Sequence, residues 1–440
     1  YILAFSGPMI SKRDSSEKKY RYMTNKPYEF KVGVIGLGYV GTPLACLFSK
    51  KYDTWGYDNN AKKVNRLVQT QMNQNKMLSK ALAQGLKLTS DIEMLRKCNV
   101  YIIAVPTPVN KSNKPDISCV RCATRSVGAI LKEGDIVVYE STVYPGLTEE
   151  VCAPLLEATS GLKLNQDFYV GFSPERINPG DTVHTIENIV KVTSGSTPEA
   201  AEIIDSLYSS VLTHGTFKAK SIKVAEASKL MENCQRDVQI AFFNEMQKIY
   251  DKMGISIQDV TAAASTKWNF VPATPGLVGG HCIAVDPYYL INKAQEVDVV
   301  PSLLSTAREV NEQMAIWMAG KIKSASEVRN FVPAETNVLI LGFSFKPDSD
   351  DIRNTKVADL YINLLGTGYR TTLYDPLVDA EEVKEEYEIK ITDNPSVLDQ
   401  KYEIVVIGTN HKIFKNLDMN KILTGKGFVC DIYGIHKVRA

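Results

Sequence analysis

Short apolar runs alternate with helix-periodic segments over the first part of the chain. Four of these runs predict buried strands, at residues 31–35, 54–57, 100–105 and 135–139. The first run leads through a glycine-containing turn into a helical segment, and the other three end in polar residues. This alternation is typical of a parallel sheet covered by helices, so we expect one α/β domain over residues 30–218.

The pattern becomes helical from about Ser221, where apolar residues recur at helix spacing as far as Ile249. A second helical segment, residues 301–325, has no interior proline and no glycine before Gly320, which predicts one long connecting helix. Residues 219–325 are therefore expected to form a central helical domain that carries a dimer interface.

The last third of the chain repeats the strand pattern of the first. Apolar runs at 337–342, 371–375, 403–408 and 428–431 predict a second parallel sheet, over a domain of residues 326–440. The predicted fold class is α/β, with two Rossmann-like doubly wound domains joined by a central helical domain with a long connecting helix. The polar segment that precedes them, residues 1–29, is expected to be a disordered tail or an addition from cloning.

Composition excludes several classes of function. The chain of 440 residues is 44% hydrophobic and 23% charged, with a net charge of +1, so neither nucleic acid nor a membrane is expected as a partner. No apolar run approaches the roughly 20 residues of a spanning helix. Eight cysteines are too few for a disulfide framework, which favours the reducing cytoplasm. Cys119 and Cys122 form a C-x-x-C without a second pair at zinc-finger spacing, so no metal is expected and coincidence is the better explanation.

A glycine-rich turn follows the first predicted strand, as Gly36-Leu-Gly-Tyr-Val-Gly41. Gly36 would make the tight turn, Gly38 would let the backbone approach a pyrophosphate, and Gly41 would let helix and strand pack closely. We expect this loop, including Tyr39 and Val40, to bind a dinucleotide at the helix N-terminus. A glycine-rich loop without a ligand is the alternative.

Polar residues at the ends of the other strands extend this cofactor site. Asp58 ends the second strand, where a carboxylate accepts hydrogen bonds from a ribose and repels a 2′-phosphate, which favours NAD over NADP. Thr107 and Thr142 follow the third and fourth strands and are expected at the nicotinamide end, unless they cap helices.

A thiol lies on a second glycine-rich segment, Pro275 to Tyr289. Gly279 and Gly280 permit close approach to a ligand and deliver Cys282, with Asp286 four residues later. Such a thiol suits covalent chemistry on a carbonyl. The alternative is that Cys282 is a small buried hydrophobe.

Other candidates are charged or polar residues whose spacing also fits a plain surface role. Lys229 and Asn233 share one helix face, which is either catalytic or solvated. Glu175, a possible general base, lies beside Arg176 in a proline-rich loop that an ion pair would equally explain. A further pair of cations, Lys346 and Arg353, fits a phosphate site or simple pairing with nearby aspartates.

Taken together, the motifs resemble the UDP-glucose/GDP-mannose dehydrogenase family of nucleotide-sugar 6-dehydrogenases, from about Lys31 to His411. Within it, the chain is similar to the branch that acts on UDP-N-acetylhexosamines. The segments that carry this likeness are Tyr139-Glu-Ser-Thr-Val-Tyr-Pro-Gly-Leu-Thr-Glu-Glu150, Ser173-Pro-Glu-Arg-Ile-Asn-Pro-Gly-Asp181, Thr266-Lys-Trp-Asn-Phe270 and Val278-Gly-Gly-His-Cys282.

The resemblance implies a cytoplasmic, homodimeric enzyme that uses NAD to oxidise C6 of a UDP-N-acetylhexosamine, of the GlcNAc or GalNAc type, to a uronate for capsule or O-antigen. Cys282 would be the nucleophile, with Lys229, Asn233 and Asp286 around the reacting carbon. Glu175 would activate the hydrolytic water, with Thr142 near the water and the nicotinamide. The remaining family positions would contact substrate, cofactor or neighbouring domains: Arg176, Gly279, Lys346, Arg353 and, across the dimer, Arg308.

Three other interpretations stay open. The substrate could be UDP-N-acetylmannosamine, because the N-acetylhexosamines differ by single stereocentres, or it could be UDP-glucose. A two-electron hydroxyacid or 6-phosphogluconate-type dehydrogenase shares the domain order but needs no thiol. A catalytically silent nucleotide-sugar-binding protein would bind NAD without reducing it.

Overall fold

A computed structural model describes residues 29–69, 76–177 and 186–434. The predicted N-terminal tail lies outside these residues, apart from Glu29. The part of the Ser173–Asp181 loop after Ile177 also lies outside them.

The first sheet contains six parallel strands in the order β3-β2-β1-β4-β5-β6. The strands are β1 (Lys31–Ile35), β2 (Asp53–Tyr57), β3 (Lys87–Thr89), β4 (Val100–Ile103), β5 (Ile136–Tyr139) and β6 (Tyr169–Phe172). The four strands predicted for this domain are confirmed, and β3 and β6 extend the sheet at its two edges.

Helices cover both faces of this sheet. They are Gly41–Phe48, Ala61–Gln69, Lys76–Ala83, Ser118–Gly128, Ala153–Ser160 and Pro198–Ser209, with a 3₁₀ segment at Ile92–Lys97 and a π segment at Thr148–Cys152. Along β4, Tyr101 and Ile103 pack into one apolar cluster, whereas Val100 and Ile102 pack into another. Both faces of the strand are therefore buried, as a doubly wound sheet requires.

A small parallel ribbon, β7 (Lys191–Thr193) with β8 (Thr216–Lys218), extends this domain. It was not predicted from the sequence, because strands this short show no clear periodicity. β7 lies next to the large sheet through a bridge between Gly195 and Gly171 of β6.

The longest helix of the described residues is Ile222–Met253, which we call the central helix. Ser221 caps its start by accepting a hydrogen bond from the N–H of Val224, and Gly254 ends it in a left-handed conformation. The helices around it are Ile257–Ala264, Asp286–Glu296 and Ser302–Glu312.

The segment predicted as one long helix over residues 301–325 is instead two helices, Ser302–Glu312 and Met314–Val328, which meet at Gln313. The ψ of Gln313 is −7°, away from the helical value. The two halves pack on different partners. Arg308 in the first half pairs with the central helix, whereas Met314 in the second half enters the core of the C-terminal domain.

The C-terminal domain contains a four-stranded parallel sheet in the order β10-β9-β11-β12. Its strands are β9 (Asn337–Leu341), β10 (Arg370–Tyr374), β11 (Tyr402–Ile407) and β12 (Leu423–Cys430). The helices after residue 330 are Lys356–Gly366, Ala380–Tyr387 and Met419–Ile422, with 3₁₀ turns at Pro333–Glu335, Pro395–Asp399 and Lys412–Phe414. The predicted fold class is confirmed. Among the described residues, no helix is long and apolar enough to cross a bilayer.

Candidate active site

The turn after β1 has the backbone geometry of a dinucleotide-binding loop. Gly36 has a φ of +95°, and its N–H donates to the carbonyl oxygen of Tyr57 at 2.8 Å. A Cβ on Gly41 would lie 1.8 Å from the carbonyl oxygen of Gly36, so only glycine permits this close start of the helix. A Cβ on Gly38 would meet no atom within 4 Å, because the backbone there faces open space. The loop therefore fits a pyrophosphate.

Asp58 holds the next part of this site. Its carboxylate accepts hydrogen bonds from the N–H of Leu37 and of Asn60, both at 3.0 Å, and from Lys63 Nζ at 2.8 Å. Burial alone would raise the pKa of Asp58, but the bonds from Lys63 and the backbone outweigh it and lower the pKa. The carboxylate thus stays ionised at neutral pH, as an acceptor for a ribose hydroxyl must.

The main cleft has a volume of about 780 Å³ and lies where the three domains meet. The carboxyl ends of the first sheet form one wall. The Cys282 loop and the C-terminal segment 348–354 form the others. Eight of the residues predicted from sequence line it: Tyr39, Val40, Thr107, Thr142, Glu175, Lys229, Cys282 and Arg353.

Cys282 is half-buried on the cleft wall. Burial raises the pKa of its thiol, as does the charge of Asp286, whereas Lys229 and Arg353 oppose the rise. Its Sγ lies 3.7 Å from Nδ1 of His281. Burial, together with Arg353, lowers the pKa of His281 to about 4, so a neutral imidazole stands beside a protonated thiol.

Lys229, Asn233 and Asp286 come together as a group behind Cys282. Lys229 and Asn233 lie one turn apart on the buried face of the central helix, which excludes the solvated-face alternative. Asn233 Nδ2 donates to Asp286 Oδ2 at 2.5 Å. Burial raises the pKa of Asp286 to about 6, against the opposing effects of Lys229 and Asn233. Lys229 reaches the cleft, and Asp286 lies behind it, 1% exposed.

The adjacent glycines of the cysteine loop pack against protein rather than opening onto a ligand, contrary to the expectation from sequence. A Cβ on Gly279 would lie 2.7 Å from the carbonyl oxygen of Asn354, and one on Gly280 would lie 2.6 Å from the ring of Phe345. Gly280 also donates its N–H to the carbonyl oxygen of Arg353 at 3.0 Å. The loop is therefore seated on the C-terminal domain.

Glu175 also lines the cleft. Its Oε1 accepts hydrogen bonds from the N–H of Arg176 and of Ile177, both at 2.6 Å. Its Oε2 accepts from Lys191 Nζ at 3.1 Å. With both oxygens held in place, the carboxylate has one orientation toward the cleft.

Lys191 belongs to a buried network that was not identified from sequence. Its Nζ also donates to Glu140 at 2.5 Å, and the hydroxyl of Tyr208 donates to the other oxygen of Glu140 at 2.5 Å. Burial raises the pKa of Glu140 to about 7, although Lys191 opposes the rise. The sequence did contain a signal for this network. Lys191 interrupts an apolar run, and a charge in a buried strand needs a partner.

The two threonines line the cleft, and neither caps a helix. Thr107 lies in the loop after β4 and Thr142 in the loop after β5. The next helical segments begin at Ser118 and Thr148. Ser141, beside Thr142, accepts a hydrogen bond from the N–H of Val105 at 2.9 Å and so joins the two loops.

Arg353 connects the C-terminal domain to the glycine-rich turn. Its guanidinium lies over the ring of Tyr39, with Cζ 4.5 Å from the ring centroid. Its Nε donates to Asp351 at 2.8 Å. The pairing with an aspartate that the sequence left open is therefore present, and the arginine also lines the cleft.

Three charged residues predicted to contact substrate lie off the cleft. Arg176 pairs with Glu232 of the central helix at 2.7 Å. Arg308 is 2% exposed and pairs with Asp237 at 2.6 Å, so reaching a second subunit would require it to leave a buried partner. Lys346 is half-buried in the turn after β9, where its carbonyl oxygen accepts a hydrogen bond from the hydroxyl of Ser344. The places of these three side chains depend on tertiary contacts, which the spacing of residues along the sequence does not reveal.

Among the described residues, no group of His, Cys, Asp and Glu could hold a metal ion. The groups at the cleft and directly behind it include the Cys282 thiol, the Lys229 ammonium, the His281 imidazole, the Asn233 amide and the carboxyl groups of Glu175 and Asp286. Beside them the glycine-rich turn and Asp58 have the form of an NAD site. This combination suits the oxidation of an alcohol with a covalent step at sulfur.

Models of one family match nearly the whole chain. The NAD-binding domain of the UDP-glucose/GDP-mannose dehydrogenase family matches residues 30–212, its central domain 223–313, and its UDP-binding domain 339–438.

Individual relatives agree with these matches. UDP-N-acetyl-D-glucosamine 6-dehydrogenase of Pseudomonas aeruginosa is 46% identical over 90% of this chain and 93% of its own. The enzyme of the same name from Salmonella typhi is 44% identical over 93% and 96%. The solved structure of UDP-D-ManNAc dehydrogenase from Pyrococcus horikoshii superposes with a TM-score of 0.84, at 31% identity over 92% and 96% of the two chains. The chain belongs to the UDP-glucose/GDP-mannose dehydrogenase family and is an NAD-dependent dehydrogenase.

Proposed function

We propose that this enzyme oxidises the C6 hydroxymethyl group of a UDP-N-acetylhexosamine to a carboxylate, with UDP-N-acetylglucosamine as the preferred substrate. The observation that carries the proposal is the position of Cys282 in one cleft with Lys229 and Glu175. Relatives named UDP-N-acetyl-D-glucosamine 6-dehydrogenase support the choice of sugar.

The overall reaction removes four electrons from the primary alcohol. When bound, NAD supplies a hydride acceptor, and two such acceptors are consumed for each sugar. The glycine-rich turn and Asp58 would hold it, and Thr107 and Thr142 would lie toward its reactive end. The UDP-binding domain after residue 338 would hold the diphosphate of the sugar.

In the first oxidation the alcohol loses its hydroxyl proton and a hydride from C6. The ammonium of Lys229 stabilises the negative charge that develops on the oxygen. The pKa of Asp286 is about 6, close enough to neutral pH for this carboxyl group to take up and release a proton. Asn233 fixes the orientation of Asp286 by donating to its Oδ2. The product of this step is an aldehyde.

The thiol of Cys282 then adds to the aldehyde. The S–H bond breaks, a C–S bond forms, and the proton ends on the former carbonyl oxygen, which gives a thiohemiacetal. Because the raised pKa keeps the thiol protonated, a base must take this proton as the sulfur attacks. The neutral imidazole of His281, 3.7 Å from Sγ, is in position to do so. The second oxidation removes a hydride from C6, for which a second NAD would be the acceptor, together with the proton of the thiohemiacetal hydroxyl, and so leaves a thioester.

Hydrolysis of the thioester needs a base and a water. Glu175 is the base, because it lines the cleft and its carboxylate is fixed from two sides. Water adds to the thioester carbon, the C–S bond breaks, and Cys282 leaves as a thiolate that regains a proton. The uronate is then released.

We infer that the enzyme acts as a homodimer in the cytoplasm and supplies precursors for a capsule or O-antigen. A relative named Protein CapL from Staphylococcus aureus, 43% identical, supports the role in capsule. Large apolar side chains on the central helix are exposed and support a dimer interface, namely Met231, Phe242 and Met253. Light scattering of the purified protein checks the dimer, and a monomer at micromolar concentration would contradict it.

The test is the yield of NADH per sugar consumed, measured in parallel with UDP-N-acetylglucosamine, UDP-N-acetylgalactosamine, UDP-N-acetylmannosamine and UDP-glucose. We expect two NADH per sugar, with UDP-N-acetylglucosamine preferred. One NADH per sugar would mean that oxidation stops at the aldehyde, as for a two-electron dehydrogenase. Binding of NAD without NADH formation from any of the four sugars would indicate a silent binding protein.

A further inference from the structure

Two free thiols of this chain are exposed, and they are close in sequence. All eight cysteines lie in the described residues, five of them buried and Cys282 half-buried, whereas Cys119 and Cys122 are exposed. Both belong to the first turns of helix Ser118–Gly128. Residues three apart share a helix face, so the two thiols point to the same side.

That helix face forms one wall of a second cavity, with a volume of about 520 Å³. Ser126, one turn further along the helix, lines the same wall. The opposite side is formed by the glycine-rich turn and the end of β2, through Gly36, Gly38, Asp58, Asn59, Asn60 and Lys63. Tyr57, the last residue of β2, lines the same cavity as Cys122.

This second cavity has the chemistry of the adenosine end of the cofactor site. Asp58 offers a fixed carboxylate where a ribose diol would lie, and Gly38 faces open space where a pyrophosphate would approach. A dinucleotide held by these groups therefore passes directly in front of the helix that carries the two thiols. The thiols play no part in the oxidation of the sugar described above.

We propose that Cys119 and Cys122 are a redox-sensitive dithiol at the adenosine end of the NAD site, which bound NAD shields and whose oxidation to a disulfide excludes NAD. The oxidant is a low-molecular-weight disulfide such as glutathione disulfide. Two S–H bonds break and one S–S bond forms in the protein. The S–S bond of the oxidant breaks, and its halves take up the two electrons and two protons as two thiols.

The geometry of the helix explains the loss of NAD binding. Side chains three apart in a helix have Cβ atoms about 5–6 Å apart, whereas a disulfide needs roughly 3.5–4.5 Å. Closing the bond therefore shifts the first helical turn by about 1 Å or more. Because that turn is the cavity wall facing Asp58, the shift deforms the surface on which the adenosine half would rest.

The experiment uses the full chain with Cys282→Ser, which removes the other accessible thiol. NAD affinity is measured by titration before and after treatment with glutathione disulfide, and again after reduction with dithiothreitol. We expect the Kd for NAD to rise at least tenfold on oxidation and to return on reduction. Arg121 lies between the two cysteines, so trypsin leaves two peptides that stay joined only when the disulfide is present.

The matched control carries Cys119→Ser and Cys122→Ser in addition to Cys282→Ser. Its Kd for NAD before treatment is the reference for its Kd after treatment. Its Kd for NAD should not respond to the oxidant. Saturating NAD should also slow alkylation of both thiols by N-ethylmaleimide. The proposal is overturned if joined peptides form while the Kd is unchanged, if no joined peptides form, or if NAD gives no protection. Because binding rather than turnover is measured, these outcomes do not depend on which sugar the enzyme oxidises.

Discussion

The ammonium group of Lys191 lies 3.1 Å from Oε2 of Glu175, and both side chains are buried. Lys191 also pairs with Glu140, so one cation serves two carboxyl groups. Burial raises the pKa of Glu140 to about 7, and the nearby charge of Glu175 adds to the rise, whereas Lys191 opposes it. The carboxylate that we propose as the general base is thus held by a buried ammonium group.

Replacing Lys191 by Met should lower the free energy of unfolding by roughly 3–5 kcal/mol, because two buried carboxyl groups lose their cation. Urea unfolding followed by circular dichroism measures the change. The control is Lys218→Met on the neighbouring strand β8, whose partner Glu202 is exposed; it should change stability by less than about 1 kcal/mol. Equal effects of the two substitutions would contradict the importance of burial. Adding Glu140→Gln to Lys191→Met should recover part of the loss.

Cys282→Ser should reduce formation of the uronate by roughly three orders of magnitude or more, because a serine hydroxyl is a far weaker nucleophile toward the aldehyde. Rapid quenching and mass spectrometry of the UDP-sugar pool measure the products. Cys152→Ser, which alters a thiol buried in the first domain, should still form two NADH per sugar. Full turnover by Cys282→Ser would exclude the thioester route.

Glu226 should make the protein less stable as the pH rises from about 4.5 to about 7. Its carboxylate is fully buried and accepts hydrogen bonds from the N–H of Gly146 and of Thr148. Burial raises its pKa from 4.5 to about 7, so within this window the unfolded chain ionises before the folded one. The folded state then binds more protons, and the free energy of unfolding falls with pH, by up to roughly 3 kcal/mol.

The measurement is urea unfolding at pH 5 and pH 8 for the parent protein and for Glu226→Gln. The variant should lose most of this contribution to the pH dependence. Glu245→Gln, an exposed position on the same helix, should leave the dependence unchanged. If Glu226→Gln and the parent protein show the same dependence, the carboxyl does not titrate as described.

Asp58→Asn should reduce the preference for NAD over NADP at least tenfold, because the amide still accepts the N–H of Leu37 but no longer repels a 2′-phosphate. The ratio of kcat/KM for the two cofactors measures the change. Asp53→Asn, at the exposed start of the same strand, is the control and should keep the preference. A ratio unchanged by Asp58→Asn would place the discrimination elsewhere.

Local pattern was sufficient to predict the glycine-rich turn and eight of the twelve strands among the described residues. Buried parallel strands such as β1 and β4 are short apolar runs, and the turn after β1 uses glycines for reasons that are local to the backbone. Cys282 and Asp286 were found because they are close in sequence. Lys229 was a candidate from its spacing with Asn233, and only the resemblance gave it a role in catalysis. In the structure Lys229 is buried and its charge acts on Asp286.

Contacts between distant segments account for what the sequence did not predict. Lys191 and Glu140 are 51 positions apart, so neither position signals the other. The helix break at Gln313 arises because its two sides pack on different domains. Arg308 was expected at a dimer site, but its buried pairing with Asp237 becomes apparent only in three dimensions.

The cysteine loop packs through Gly279 and Gly280 against Phe345 and Asn354 of the C-terminal domain. This packing affects the order in which the parts of the active site form during synthesis. The NAD-binding domain leaves the ribosome first and can fold first. The surface that positions the cysteine loop is translated later, more than 60 residues beyond it. A nascent chain therefore acquires a nucleotide site before its thiol is in place. The covalent chemistry proposed for Cys282 can therefore begin only after the C-terminal domain has been synthesised.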